Sequence, residues 1–258
     1  MTQPLTLTLI LFSRSARAVM LGSLLLLSAS LDAAEARIAV AANFTAAAKA
    51  LQQDFEQRYG HRLRISYGST GKLYTQIYQG APFELFMAAD AERPARAERE
   101  GLAVAGSRIT YAVGGLALWS AEGAAEEELI AQLKGGHYRR LAMANPKIAP
   151  YGAAAVQVMA GMALNAEAGK QVYGENIAQT YQFVATGNAE LGFVALAQMI
   201  NTPQAHYWAI PKRYYQPIRQ QAVLLKRGTS SAAAQAFLAY LGEGDARAII
   251  QAYGYGSE

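Results

Sequence analysis

From residue 37 onward, two hydrophobic rhythms alternate along the chain. Short continuous apolar runs are each followed by a stretch in which apolar side chains recur every three or four positions. "RIAVAA" (37–42) predicts a buried strand. The stretch after it puts Phe44, Ala47, Ala48, Leu51, Phe55 and Tyr59 on one helical face, with Gly60 as its stop. "RLRISYG" alternates like a strand, and "KLYTQIYQG" predicts a short helix. "ELFMAA" is a second buried strand, after which Asp90 caps a helix over "AERPARAEREGL". Strand, helix, strand, helix, strand, helix is the order of a parallel sheet covered by helices.

The pattern then restarts. "RITYAVGGLALWS" (108–120) predicts one long strand containing two glycines. Helix "AEEELIAQLKGG", strand "LAMANP", helices "GAAAVQVMAGMAL" and "NIAQTYQFVATG", and strands "ELGFVAL" and "HYWAI" follow. "IRQQAVLLK" (218–226) is placed beside 111–119 as a second crossing strand, and "SAAAQAFLAYL" and "DARAIIQAYGY" are closing helices. The expected fold is α/β, with two parallel-core sheets joined by two hinge strands and a cleft between them. Residues 37–112 plus 216–258 form the first domain and 113–215 the second.

Residues 1–36 follow another logic. Arg14 and Arg17 precede "AVMLGSLLLLSAS", and "LDAAEA" supplies small residues at Ala34 and Ala36. This is the order of a secretory signal peptide, with cleavage expected after Ala36 and a possible start of translation near Met20. The apolar run is shorter than the ~20 residues that span a bilayer. There is no cysteine among the 258 residues. An exported chain without disulfides is held by its core, which a chain of this size can supply. A lipid anchor needs a cysteine, so the expected location is free in a Gram-negative periplasm. The net charge of +4 is spread out, with no basic stripe interleaved with aromatics, which argues against a nucleic-acid partner.

Four turns carry the candidate chemistry. Each puts small or polar residues at a predicted helix start: Asn43, Ser69-Thr70-Gly71, Tyr151-Gly152 and Asn176-Ile177. Helix starts expose unpaired N–H groups and about half a positive charge, which favours anions. In α/β units, ligands collect at the carboxyl ends of strands, where these turns lie. Each turn alone is also an ordinary cap or turn. "YGSTGKLYTQIYQG" is not a P-loop, because two residues rather than four separate Gly68 from Gly71, and Leu73 follows Lys72.

Five blocks in order, "VAANF", "SYGSTGKLYTQIYQGAPFELFMAAD", "ANPKIAPYG", "ENIAQTYQFVATGNAELGFVAL" and "ARAIIQAYGYG", resemble the periplasmic molybdate-binding proteins of ABC importers. The resemblance covers nearly the whole chain beyond residue 36. It implies a two-domain periplasmic-binding-protein fold of type II-like form that closes over a tetrahedral oxyanion. It implies no cofactor and a monomer that serves a membrane permease. Its binding turns fall on Asn43, Ser69, Thr70, Tyr151 and the backbone N–H of Ile177. Where many members place a tyrosine after "LGFV", this chain has Ala195, and Tyr151 is taken to supply the phenol from the other side.

Molybdate and tungstate are fully deprotonated at neutral pH and only accept hydrogen bonds, so a donor-only cage suits them. Monohydrogen phosphate would want an acceptor, and none of the turns supplies a carboxylate directly. Glu175 is expected to point outward. Discrimination against sulfate or chromate rests on the resemblance. Lys72 and Lys147 are expected to be solvated. His61, His137 and His206 have no metal-ligand spacing. No nucleophile, base or paired carboxylates stand out, so an enzyme is not expected. A ligand-sensing regulatory domain would need a DNA-binding segment where residues 1–36 lie.

Overall fold

The computed structural model describes residues 34–164, 169–200, 202 and 206–257. Most of the segment expected to be a signal peptide, 1–33, lies outside the described residues. Two five-stranded sheets organise the rest. In the first, β1 (Glu35–Ala41) lies between β2 (Arg62–Gly68) and β3 (Leu85–Ala88), all parallel. β10 (Ile218–Leu224) runs antiparallel beside β3, and β4 (Ile109–Gly114) closes the far edge. Helices α1 (Thr45–Tyr59), α2 (Thr70–Tyr78) and α3 (Glu92–Arg99) connect the parallel strands. The predicted inner face of α1 is buried at Phe44, Ala47, Ala48, Leu51 and Phe55, and Gly60 ends the helix at φ 69°. That left-handed turn costs glycine no Cβ clash.

The second sheet has the order β7-β6-β8-β5-β9. Its parallel part is β7 (Gln171–Gly174), β6 (Leu141–Ala144) and β8 (Leu191–Ala195). Two antiparallel strands, β5 (Leu116–Trp119) and β9 (Tyr207–Ala209), follow on the side of β8. Helices α4 (Glu126–Gly135), α5 (Pro150–Gly161), α6 (Ile177–Ala185) and the short α7 (Leu196–Ile200) belong to this lobe. The chain ends in α8 (Ala232–Tyr240) and α9 (Gly244–Ala252), which pack on the first lobe.

The structure corrects several expectations. The single strand over 108–120 is two strands in two sheets, broken at Gly115. A Cβ there would lie 3.0 Å from Leu196, and the Gly115 carbonyl accepts from the Leu196 N–H. The apolar run continues through the break, so periodicity could not see it. Among the described residues β10 pairs with β3 and 109–114, so it belongs to the first sheet. β7 was missed between two helices because it is a short edge strand with little inward apolar surface. α5 starts at Pro150, which puts Tyr151 inside its first turn. β1 starts at Glu35, two residues early. Glu35 and Ala36 pair with Arg62 and Leu63, and Ala36 is 0% exposed, so a cut after Ala36 would remove part of the folded strand.

Candidate functional site

The four turns meet. Asn43, Ser69, Thr70, Tyr151, Asn176 and Ile177 line one small cavity between the two lobes, together with neighbouring Ala, Gly and Pro residues. Every residue lining it is uncharged. Its volume is about 10 Å³, near that of a single water-sized sphere. That is far below the hundreds of Å³ typical of sites for organic ligands.

Local structure sets each contributor. Ser69 is the N-cap of α2, and its Oγ accepts from the Lys72 N–H at 3.4 Å. Thr70, 1% exposed, is the first residue of that helix, and its Oγ1 accepts from the Ala89 N–H at 3.0 Å. Tyr151 Oη accepts from Gln220 Nε2 at 3.2 Å. All three hydroxyls thus take an N–H from the protein, which leaves their protons for another acceptor. Ile177 is the first residue of α6, where the backbone N–H has no intrahelical acceptor. Asn176 caps that helix, accepting from the Gln179 N–H at 3.0 Å, and Gln179 Oε1 in turn accepts from the Glu175 N–H at 2.6 Å. Both caps follow the rule that a polar side chain satisfies the first-turn donors.

Asn43 is held from behind. It lines the cavity, but its amide protons are committed, to Gln220 Oε1 at 2.8 Å and to Tyr255 Oη at 3.2 Å. The Gly71 N–H is also spent elsewhere, on the Ile148 carbonyl of the facing lobe at 2.8 Å. Gly71 allows that approach, since a Cβ would lie 2.9 Å from Ile148 Cα. Burial pushes the Tyr151 and Tyr111 hydroxyls well above the ordinary phenol range, with smaller contributions from neighbouring charges or phenols, so they stay neutral donors.

The charged side chains lie outside the cavity lining. Lys72, expected in solvent, is half exposed and pairs across the cleft with Glu175 at 2.7 Å. Glu175 points outward as expected, its side chain 63% exposed. Lys147 is exposed, and its carbonyl accepts from Arg93 of the other lobe at 3.3 Å. Among the described residues no cluster of His, Asp or Glu could hold a metal ion.

Sequence reasoning missed Gln220, Tyr111 and Tyr255, which stand behind the cavity. Gln220 carried a signal, a polar side chain at an inward position between Ile218 and Ala222 on an alternating strand. Gly114 was also unmarked. A Cβ there would lie 2.1 Å from Tyr151 Oη, so the glycine makes room for the phenol.

A model of bacterial extracellular solute-binding proteins matches residues 36–256. The chain belongs to that family. This solute-binding protein is 51% identical over 249 residues to the molybdate-binding protein ModA of Azotobacter vinelandii, covering 95% of this chain and 98% of the relative. It is 46% identical to the molybdate-binding protein ModA of Rhodobacter capsulatus, covering 96% and 99%. Among solved structures, the periplasmic molybdate-binding protein of Azotobacter vinelandii superposes with a TM-score of 0.80 at 37% identity, covering 86% of this chain and 99% of that one. The two lobes with a central cleft are the fold of that protein.

Proposed function

We propose that this chain captures molybdate or tungstate in the interlobe cavity and delivers it to a membrane ABC permease. One observation carries the reading: Ser69, Thr70 and Tyr151 converge on one uncharged cavity with their oxygens already taken by N–H donors. Such hydroxyls offer protons to an anion that has none of its own. A hydrogen bond to a charged group contributes roughly 1.5–3 kcal/mol, so three hydroxyls and the Ile177 N–H make a selective cage. Asn43 forms part of the wall, with its amide turned to Gln220. The relatives' names support molybdate as the ligand. Sulfate and chromate are the competing tetrahedral oxyanions.

The protein acts as a monomer in the periplasm, without cofactor or catalysis. Its signal peptide is cut ahead of Glu35, because Glu35 and Ala36 belong to β1. Mass spectrometry of periplasmic protein should find the N-terminus there, and an N-terminus at Arg37 would refute that boundary. The ligand is tested by calorimetry with molybdate, tungstate, sulfate and phosphate. Molybdate and tungstate should bind far more tightly than the other two. Equal affinity for sulfate would make the protein a general oxyanion binder.

A further inference from the structure

Gln220 does not line the cavity, yet it is 0% exposed and sits at the centre of the hydrogen-bond network behind it. The polarity of that network can be followed from a fixed point. Tyr255 Oη lies 2.7 Å from the Asn43 backbone carbonyl, which can only accept, so the single Tyr255 proton goes there. Tyr255 Oη must then accept from the Asn43 side chain 3.2 Å away, so the group facing it is the Asn43 NH₂. The same NH₂ faces Gln220 at 2.8 Å, which therefore presents its oxygen. The Tyr111 hydroxyl, its proton facing both the Ala88 carbonyl and this oxygen, agrees with that orientation. The pairing slips between Gln220 and Gln221, opposite Ala112 and Thr110, which leaves Tyr111 as the extra residue of a bulge. With its oxygen held, Gln220 has only its NH₂ for Tyr151 Oη, 3.2 Å away. Tyr151 must accept it, and its own proton is left for the cavity.

We infer that Gln220 is a positioning residue that fixes Tyr151 as a donor to the bound anion and so biases the site toward oxyanions that carry no proton. This rests on the reading of the cavity as an oxyanion site. Gln220→Glu tests it with little change of shape. An ionised Glu can accept from Asn43, Tyr111 and Tyr151 together, so the core stays satisfied while the Tyr151 proton turns away from the cavity. A lone pair of Tyr151 then faces the ligand. The added negative charge weakens every dianion, and the comparison among dianions removes that effect.

Calorimetry at a pH where phosphate is mainly the monohydrogen dianion should show molybdate and sulfate losing affinity together. Phosphate, whose proton Tyr151 can now accept, should lose at least tenfold less. Gln220→Leu, alone and combined with Tyr151→Phe, supplies a second arm. Gln220→Leu should weaken molybdate binding about tenfold in the wild type, and less than twofold once the Tyr151 hydroxyl is gone. Equal losses for all three anions, or additive losses in the double variant, would overturn the role of Gln220 while leaving the molybdate reading intact. A wild-type protein that binds no oxyanion would overturn both.

Discussion

A hydroxyl can give or take a hydrogen bond, and at Thr70 the folded backbone has settled which. The Ala89 N–H occupies its oxygen at 3.0 Å. Thr70→Ala therefore removes a proton donor from the cavity and also orphans a buried N–H. The first loss is worth roughly 1.5–3 kcal/mol against a charged ligand, or about one to two decades of affinity. The second should lower the melting temperature as well. Thr70→Ser keeps both partners and should restore both readouts, measured by calorimetry and thermal unfolding. The tyrosines behind the site lead to a pH prediction. Burial raises the hydroxyls of Tyr111, Tyr151 and Tyr255 above the ordinary phenol value of about 10. An acid whose folded pKa is raised contributes stability that is present below its unfolded pKa and lost as pH rises through the folded one. Stability should hold across neutral pH and fall above about pH 10. Tyrosinate absorbance from these residues should appear only as circular dichroism is lost. Their ionisation in folded protein would contradict the burial argument.

Among the elements, α6 links stability to binding most directly. Asn176 satisfies its first turn, and both Asn176 and Ile177 line the cavity. Asn176→Ala should cost about 1 kcal/mol of stability, the usual worth of an N-cap, and should weaken anion binding as the helix start frays. Asn176→Ser should recover most of both. A variant with unchanged melting and unchanged affinity would remove this cap from the site. The element scale also separates what was legible in the sequence from what was not. α1 could be read because its inward face repeats at helical spacing and Gly60 ends it. The 108–120 run could not be divided, because β4 and β5 are both apolar and the change of sheet at Gly115 leaves no polar mark. The four turns were visible as helix starts beside strand ends. Their convergence was not, because it depends on how the two sheets face each other. The direction of the Asn43 amide was hidden for the same reason. Its partners, Gln220 and Tyr255, are 177 and 212 residues away.

Across the whole molecule the lobes touch through polar contacts at the rim and an uncharged cavity within. The Lys72–Glu175 pair is the obvious charged link, but both side chains are about half exposed or more. Exposed pairs are typically worth about 0–1 kcal/mol. Lys72→Ala should therefore change molybdate affinity by less than about fivefold, and less still in high salt, since ~1.4 kcal/mol is tenfold. If calorimetry found Lys72→Ala crippling and Thr70→Ala silent, the uncharged cage would be wrong and the site would be a charge-paired one.

The bond from the Gly71 N–H to the Ile148 carbonyl has a use outside binding. This N–H is in the first turn of α2 and has no acceptor in its own helix. It is protected from solvent only while the opposite lobe is in place. Its hydrogen–deuterium exchange rate therefore counts the fraction of time the two halves spend apart. One proton serves as a clock for opening, readable in the wild-type protein without a mutation.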